Sequence, residues 1–455
     1  MKKSILYIVL FITHFSFANV ILPSVFSDHM VLQQNDEVKF WVWANPNEDI
    51  TIQPSWTNEV YETKASNQAK WELKIKTPNY GGPYTISIKG YNEIILKDIL
   101  IGEVWLCSGQ SNMEMSASWG IKNMDEVENA NQKNIRFFNV PKISATAPQD
   151  NVSASWQVST SETMKYSSAI AYFFAKRLQE EYNDIPVGLI ISAWGGTPAE
   201  IWMPEETIKK DSVINEAANK LTPVEWGPVE PARAFNAMIH PLIGYNIAGT
   251  LWYQGESNVG AKHYDKTFSG LINSWRTLWN KEFPFYFVQI APYDYEGEHF
   301  GGAEVRNFQR IVSKTRNNTG MVITSDISTI DDIHPKDKKS VGVRLANLAL
   351  KKHYKKINDL VEGPEIENIN FNGKQAILYF KNDEGLYLKN KTSLFEIAGE
   401  DKVFFEAKVK LKNKEIQLRA KQVKQPKFVR FAWTNTAQSN VFNAADLPLS
   451  SFITD

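Results

Sequence analysis

Two short runs carry residue types suited to acyl transfer. One is Ser108-Gly109-Gln110-Ser111-Asn112 and the other is Asp331-Asp332-Ile333-His334. Such chemistry needs a hydroxyl to attack, a base to take its proton, and donors for a tetrahedral oxyanion. Ser111 supplies the hydroxyl. His334 is the natural base, because a neutral imidazole titrates near working pH. Asp331 stands three positions before His334 and Asp332 two before it, and either carboxylate could hold the imidazole in the right tautomer. The backbone N–H of Ser111 and that of Gly195 or Gly196 are candidate oxyanion donors, since glycine lets backbone approach a ligand closely.

These runs need elements that bring them together. Residues 104–107 form a short apolar run, the pattern of a strand buried on both faces, and it stops abruptly in turn chemistry at Ser108. A second apolar run, 187–191, breaks at Ala193-Trp194-Gly195-Gly196. A third, 249–253, breaks at Gln254-Gly255-Glu256, and 321–324 leads into the segment bearing His334. Helical periodicity lies between them, with Ile170, Phe173, Phe174 and Leu178 on one face and Phe268, Leu271, Ile272, Trp275 and Leu278 on another. Residues 338–353 read as a closing helix. Strands alternating with helices predict an α/β domain with a parallel sheet covered on both faces. In such sheets ligands bind beyond the carboxyl ends of the strands, where every one of these motifs falls.

The segments GQSNM, SAWGGTPAEIWMP, MIHPL, WYQGESN and DIHPKDK, in that order, resemble the SGNH-hydrolase superfamily, specifically its sialate O-acetylesterase and acetylxylan-esterase-like branch. The resemblance implies an SGNH-type three-layer α/β/α domain and a serine carbohydrate O-acetylesterase. Its substrate would be an acetylated sialic acid or another acetylated glycan such as xylan or pectin. The superfamily's D-x-x-H spacing favours Asp331 as the partner of His334. Its third block usually supplies an asparagine to the oxyanion hole; the branch has glutamine there, which assigns that role to Gln254, with Asn258 a weaker candidate. Trp194, Trp252, Tyr253, Glu256 and Arg306 are candidate substrate-binding residues, the arginine meeting a carboxylate if the sugar is acidic. His240 precedes its strand and reads as structural.

The chain has 455 residues, long for one compact domain. Residues 1–18 read as a signal peptide: a basic start, a short apolar run, then Ser16-Phe17-Ala18 before a cut after Ala18. That reading makes the protein secreted or periplasmic. Residues 19–100 alternate apolar and polar with Asn, Pro and Gly between, predicting a β-sandwich-like domain. Residues 101–355 form the predicted catalytic domain. Residues 356–455 return to β patterning, as a separate domain or as a completion of the first.

A formal net charge of −1 gives no electrostatic case for nucleic acid or a membrane surface as partner. The single cysteine, Cys107, excludes an internal disulfide and lies in an apolar strand, so it reads as a buried thiol. No cluster has metal-ligand spacing, so neither metal nor cofactor is expected. A non-catalytic glycan-binding protein is the rival from another class, opposed by Ser111 with His334 and its aspartates. An esterase for non-sugar esters is a third reading.

Overall fold

The computed structural model describes residues 19–297 and 300–454. The predicted signal peptide therefore lies outside the described residues. Among the described residues, no helix is long and apolar enough to cross a membrane.

The long strand β1 (Glu93–Gly109) is the spine of the molecule. Its first half pairs antiparallel with Gly81–Lys89 and, from Leu100, in parallel with Val31–Gln33. These contacts belong to the N-terminal β region. From Glu103 the same strand runs into the central sheet and is buried at every residue, as its unbroken apolar pattern requires. The expected boundary between residues 100 and 101 falls inside this strand, so the two regions share a backbone ladder rather than a linker.

The remaining central strands are β2 (Ile135–Asn139), β3 (Trp156–Val158), β4 (Val187–Ala193), β5 (Gly249–Tyr253), β6 (Phe285–Val288) and β7 (Thr319–Val322). Their order is β7-β6-β5-β1-β4-β2-β3, parallel throughout except for β3. The chain fills one side of β1 and then the other, so the order reverses beside it. Beyond such a reversal lies the crevice of an open α/β sheet.

Side chains of β1 alternate between two cores. Trp105 and Cys107 pack with the helices Ala169–Tyr182 and Lys338–Lys352, while Val104 and Leu106 face the core that contains Phe268, Leu271 and Trp275 of the helix Tyr264–Trp279. This is the expected three-layer α/β/α arrangement. Cys107 is wholly buried, and burial pushes its thiol well above the usual range, in keeping with a structural role.

The C-terminal residues form their own core between two four-stranded antiparallel sheets, one containing Glu365–Asn372 and the other Phe428–Phe431. Among the described residues no strand of this region pairs with the N-terminal β region. It is fastened instead to the α/β region, and Arg306 is one of the staples, with Gln289 to Ser450 and Gly302 to Asn435 among the others. Arg306 lies on the helix Gly301–Thr315, is 1% exposed, and donates to the carbonyls of Thr434 (2.5 Å) and Asn435 (3.2 Å) and to the Ser451 hydroxyl (3.1 Å). Burial pulls its guanidinium down to about 10. The expectation that Arg306 meets substrate is corrected: its charged head is enclosed and engaged between domains.

Arg306→Met should therefore cost about 2–4 kcal/mol of unfolding free energy, because three acceptors, two of them buried and one partly buried, lose their donor. Denaturant unfolding checks this. KM for a small ester should stay within about twofold of the wild type, since no substrate contact is removed.

Candidate functional site

Three strands end in one row. Gly109 of β1 is in register with Ala193 of β4 on one side and Tyr253 of β5 on the other. The motifs Gln110-Ser111, Trp194-Gly195-Gly196 and Gln254-Gly255 therefore leave the sheet side by side. Gly109 has φ 135°, and a Cβ there would run into the Tyr253 carbonyl. Only glycine allows the backbone that close. The turn it permits is sealed by Gln110, whose N–H donates to that same carbonyl at 2.9 Å.

Ser111 then opens a one-turn helix, Ser111–Glu114, and is partly exposed. The N–H groups of Met113 and Glu114 donate back to Gln110 O at 2.9 and 3.0 Å. The Ser111 N–H itself has no acceptor among the described residues. Ser108, by contrast, is fully buried, and its hydroxyl donates to the Ser192 carbonyl at 2.5 Å. The two serines of the motif are thus separated into a structural one and an accessible one.

His334 comes from the segment between β7 and the helix Lys338–Lys352. Its neighbour Ile333 accepts, on its carbonyl, a 3.0 Å hydrogen bond from Asn112 Nδ2. Ser111 and His334 therefore lie one residue to either side of a single hydrogen bond. The carboxylate beside the ring is that of Asp332, with Oδ1 4.0 Å from His334 Nδ1 and accepting from the His334 N–H at 2.8 Å. Asp331 is exposed and makes no ion pair among the described residues, so the preference for it over Asp332 is not supported by the geometry. The short loop turns Asp331 outward and folds Asp332 back over its own backbone. Trp119 and the His334 ring pack at right angles, centroids 5.8 Å apart.

Burial, and then the Lys338 ammonium, hold the His334 imidazolium below its ordinary pKa of 6.5. Asp332 and Glu114 oppose that effect, while Lys336 reinforces it. The imidazole is consequently free of its extra proton at neutral pH.

The expected oxyanion donors divide. A Cβ on Gly195 would sit 3.2 Å from Ser111 Cβ, so this backbone is against the serine. The Gly195 N–H, however, donates to Glu114 Oε2 at 2.7 Å, which removes it from the available donors. Glu114 is held in turn by Lys142 at 2.8 Å. Gly196 has φ 72°, and its N–H has no acceptor among the described residues. Gln254 is fully buried, with Nε2 donating to the Thr197 carbonyl (3.2 Å) and Asn258 Oδ1 (2.7 Å) and Oε1 accepting from Tyr264 (2.8 Å). Both its amide hydrogens are engaged away from Ser111, which corrects the oxyanion assignment. Asn258 is engaged as well, donating to Glu200 at 3.0 and 3.2 Å and accepting from the Ala199 N–H.

The substrate-contact candidates also divide. Trp252 and Tyr253 are fully buried, the former among Trp202, Phe268 and Trp275, so neither meets a ligand. Alternation on a buried strand places both rings in cores. Glu256 is buried and accepts from Asn112 Nδ2 at 2.8 Å. Burial pushes its carboxyl up to about 7. Trp194 is half-buried and donates to the Trp226 carbonyl at 3.0 Å. Trp226 returns a bond to Gly196 O at 3.1 Å while staying 63% exposed, and Trp119 is 43% exposed beside His334. These two open indoles, with Asn112, Glu114 and Lys338, are what sequence reading missed. His240 is turned to the Gln149 carbonyl, 2.8 Å away, apart from this site.

A family model described as "Carbohydrate esterase, sialic acid-specific acetylesterase" matches residues 101–351, more than half of the chain. The chain belongs to this family. Human sialate O-acetylesterase is 30% identical over 416 residues, covering 82% of this chain and 79% of that one. The mouse sialate O-acetylesterase is 28% identical over 442 residues, covering 82% and 81%. The crystal structure of a carbohydrate acetylesterase from Xanthomonas citri superposes with a TM-score of 0.87 at 30% identity, covering 96% of this chain and 99% of that one. The protein is therefore a carboxylic ester hydrolase of the carbohydrate O-acetylesterase type, and the α/β fold with its additional C-terminal sheets is the one that the Xanthomonas enzyme has.

Two measurements check this geometry. Gln254→Ala should lower stability by about 2–3 kcal/mol, since it leaves buried partners unpaired, whereas an oxyanion donor would lower turnover without moving the melting temperature. In an NMR titration the His334 ring should take up its proton below pH 6.5, the sign set by burial and Lys338.

Proposed function

We propose that this esterase removes O-acetyl groups from sialic acids through a serine acyl-enzyme, with Ser111 as nucleophile and His334 as base. The observation that carries the reading is the pairing of Asn112 with the Ile333 carbonyl, which brings the two residues to one place. Ser111 Oγ attacks the acetyl carbonyl carbon and its proton passes to the free imidazole nitrogen of His334. Asp332, on the Nδ1 side, stabilises the imidazolium that forms. A spacing of 4.0 Å is loose, as such contacts often are before substrate closes the site.

The oxyanion meets the N–H groups of Ser111 and Gly196. The tetrahedral intermediate collapses as His334 returns the proton to the departing sugar oxygen. Water then attacks the acetyl-serine, His334 takes its proton, and acetate leaves with Ser111 restored. Gln254, Asn258 and Glu200 act behind this, joining the loops after β4 and β5. Trp119 and Trp226 offer open aromatic faces on the base side and the Gly196 side, suited to the apolar face of a pyranose. We further propose that residues 1–18 direct export of the chain.

Kinship with sialate O-acetylesterases supports an acidic sugar. A neutral acetylated glycan is the second reading, favoured by the pairing of nearby surface cations, Lys142 with Glu114, Lys336 with Asp332 and Lys122 with Asp337. Acetate release from acetylated sialosides, xylan and pectin separates the two. Ser111→Ala should abolish release from all of them with an unchanged melt; a folded variant retaining full activity would remove Ser111 from the mechanism. Trp226→Ala should raise KM at least about fivefold on sugar acetates and leave an aryl acetate unaffected, as loss of one stacking face predicts.

A further inference from the structure

Behind the accessible serine lies a buried polar cluster whose side chains take no part in the chemical steps above, although one of its bonds, from Asn112 to the Ile333 carbonyl, brings the two reacting segments together. Its centre is Asn112, wholly enclosed and adjacent to Ser111. Its Nδ2 donates to Glu256 Oε1 at 2.8 Å and to the Ile333 carbonyl at 3.0 Å, and its Oδ1 accepts from Lys338 Nζ at 2.6 Å. Every hydrogen-bonding position of the amide that matters here is filled, and each partner comes from a different segment. Glu256 follows β5, Ile333 precedes His334, and Lys338 begins the helix that carries the chain away from the base.

Lys338 is 0% exposed. A lysine is almost never wholly buried without a partner. It also stands at a helix N-terminus, where the dipole disfavours a cation. What retains it is the Asn112 oxygen, the face of Tyr253 at 5.7 Å, and the Glu256 carboxyl. Its position, four residues after His334 and in contact with the neighbour of Ser111, ties it to both reacting side chains.

We propose that Asn112 and Lys338 form a positioning pair that fixes the nucleophile turn and the base segment at working distance. Neither touches substrate; they act through Ser111 and His334, and the inference rests on the roles given to those two above. A hydrogen bond to the carbonyl of Ile333 sets where the His334 backbone begins. The Lys338 bond orients the amide that makes it, and Glu256 fixes the amide's other edge. Lys338 also places a positive charge near the ring. The groups facing His334 are Lys338, Asp332, Lys336 and Glu114; those facing Lys338 are Glu256, Lys336 and Asp332.

The test uses the full-length enzyme with an aryl acetate and three variants. Asn112→Asp keeps shape and the acceptor for Lys338 but has no N–H for Glu256 or Ile333. Misplacement on the order of 1 Å costs up to about 10²-fold, so kcat should fall about 10- to 100-fold while KM changes less than about threefold. Glu256→Gln keeps an acceptor for Asn112 and should retain at least about a third of wild-type kcat. Lys338→Met removes a positive charge that opposes protonation of His334, so the acid limb of kcat/KM should move to higher pH. Wild-type kcat in a folded Asn112→Asp, or an unmoved acid limb in Lys338→Met, overturns the proposal. If Asn112→Asp does not fold, the Lys338→Met profile decides alone. Ser111→Ala in parallel keeps the two readings distinct: retained activity there defeats the mechanism, whereas loss there with a wild-type Asn112→Asp defeats only the positioning role.

Discussion

The architecture of the site depends on one backbone constraint, the approach of Gly109 to the Tyr253 carbonyl at the shared end of β1 and β5. A buried strand must stop somewhere if it is to present a reactive group, and stopping frees backbone donors that water cannot reach. Here the first freed donor, the Gln110 N–H, is taken by the neighbouring strand's last carbonyl. The chain can then turn within one residue of leaving the sheet. Because Ala193 ends in the same row, the loop after β4 arrives beside Ser111 without any long excursion. The position of the hydroxyl is thus a consequence of sheet register and of one residue without a side chain.

Around that point most polar side chains support rather than react. Gln254, Asn258, Glu200, Thr197 and Tyr264 form a closed network in which donors meet acceptors below the surface. A buried polar group left unpaired is costly, so such a network has few alternative arrangements and holds two loops rigidly. The groups able to act on a ligand are found where this pairing stops: the Ser111 and Gly196 N–H groups, the Ser111 hydroxyl and the His334 ring. Motif membership alone does not distinguish the two kinds of residue. Gln254 and Ser111 belong to equally conspicuous sequence runs, yet one is sealed and the other is open.

This distinction marks what was legible in the sequence. Apolar runs ending in Gly-rich or acidic turns gave the strand ends, and helical spacing gave the layers, because burial on one or two faces leaves a periodic trace. Ser111, His334 and the adjacent carboxylates stand out in the sequence because polar residues following a buried strand have left the core, and the structure leaves Ser111, His334 and Asp332 partly exposed and Asp331 exposed. Side-chain direction left no such trace. Trp252 and Tyr253 resembled pocket aromatics but are the last two residues of a buried strand with their rings in its cores, and Arg306 resembled an anion reader but faces carbonyls far away in sequence. The choice between Asp331 and Asp332 turned on a local bond from the His334 N–H to Asp332 Oδ1, which spacing cannot reveal. Lys338 was invisible because a lysine at the start of a helix ordinarily reads as solvated surface.

The buried pair beneath the base has a consequence for how the site responds to acid. Burial pushes the Glu256 carboxyl up and pulls the Lys338 ammonium down, so each group taken singly resists its charged form. Near neutrality the pair carries no net charge whether both members are ionised or both are neutral. Of the two, the Lys338 ammonium is the member whose charge acts on the ring. That charge lies close enough to His334 to depress its proton affinity, with Lys336 acting in the same direction and Asp332 and Glu114 against it. Burial and that neighbouring ammonium both oppose protonation of the imidazole, so the ring stays neutral further into acid than an isolated histidine would.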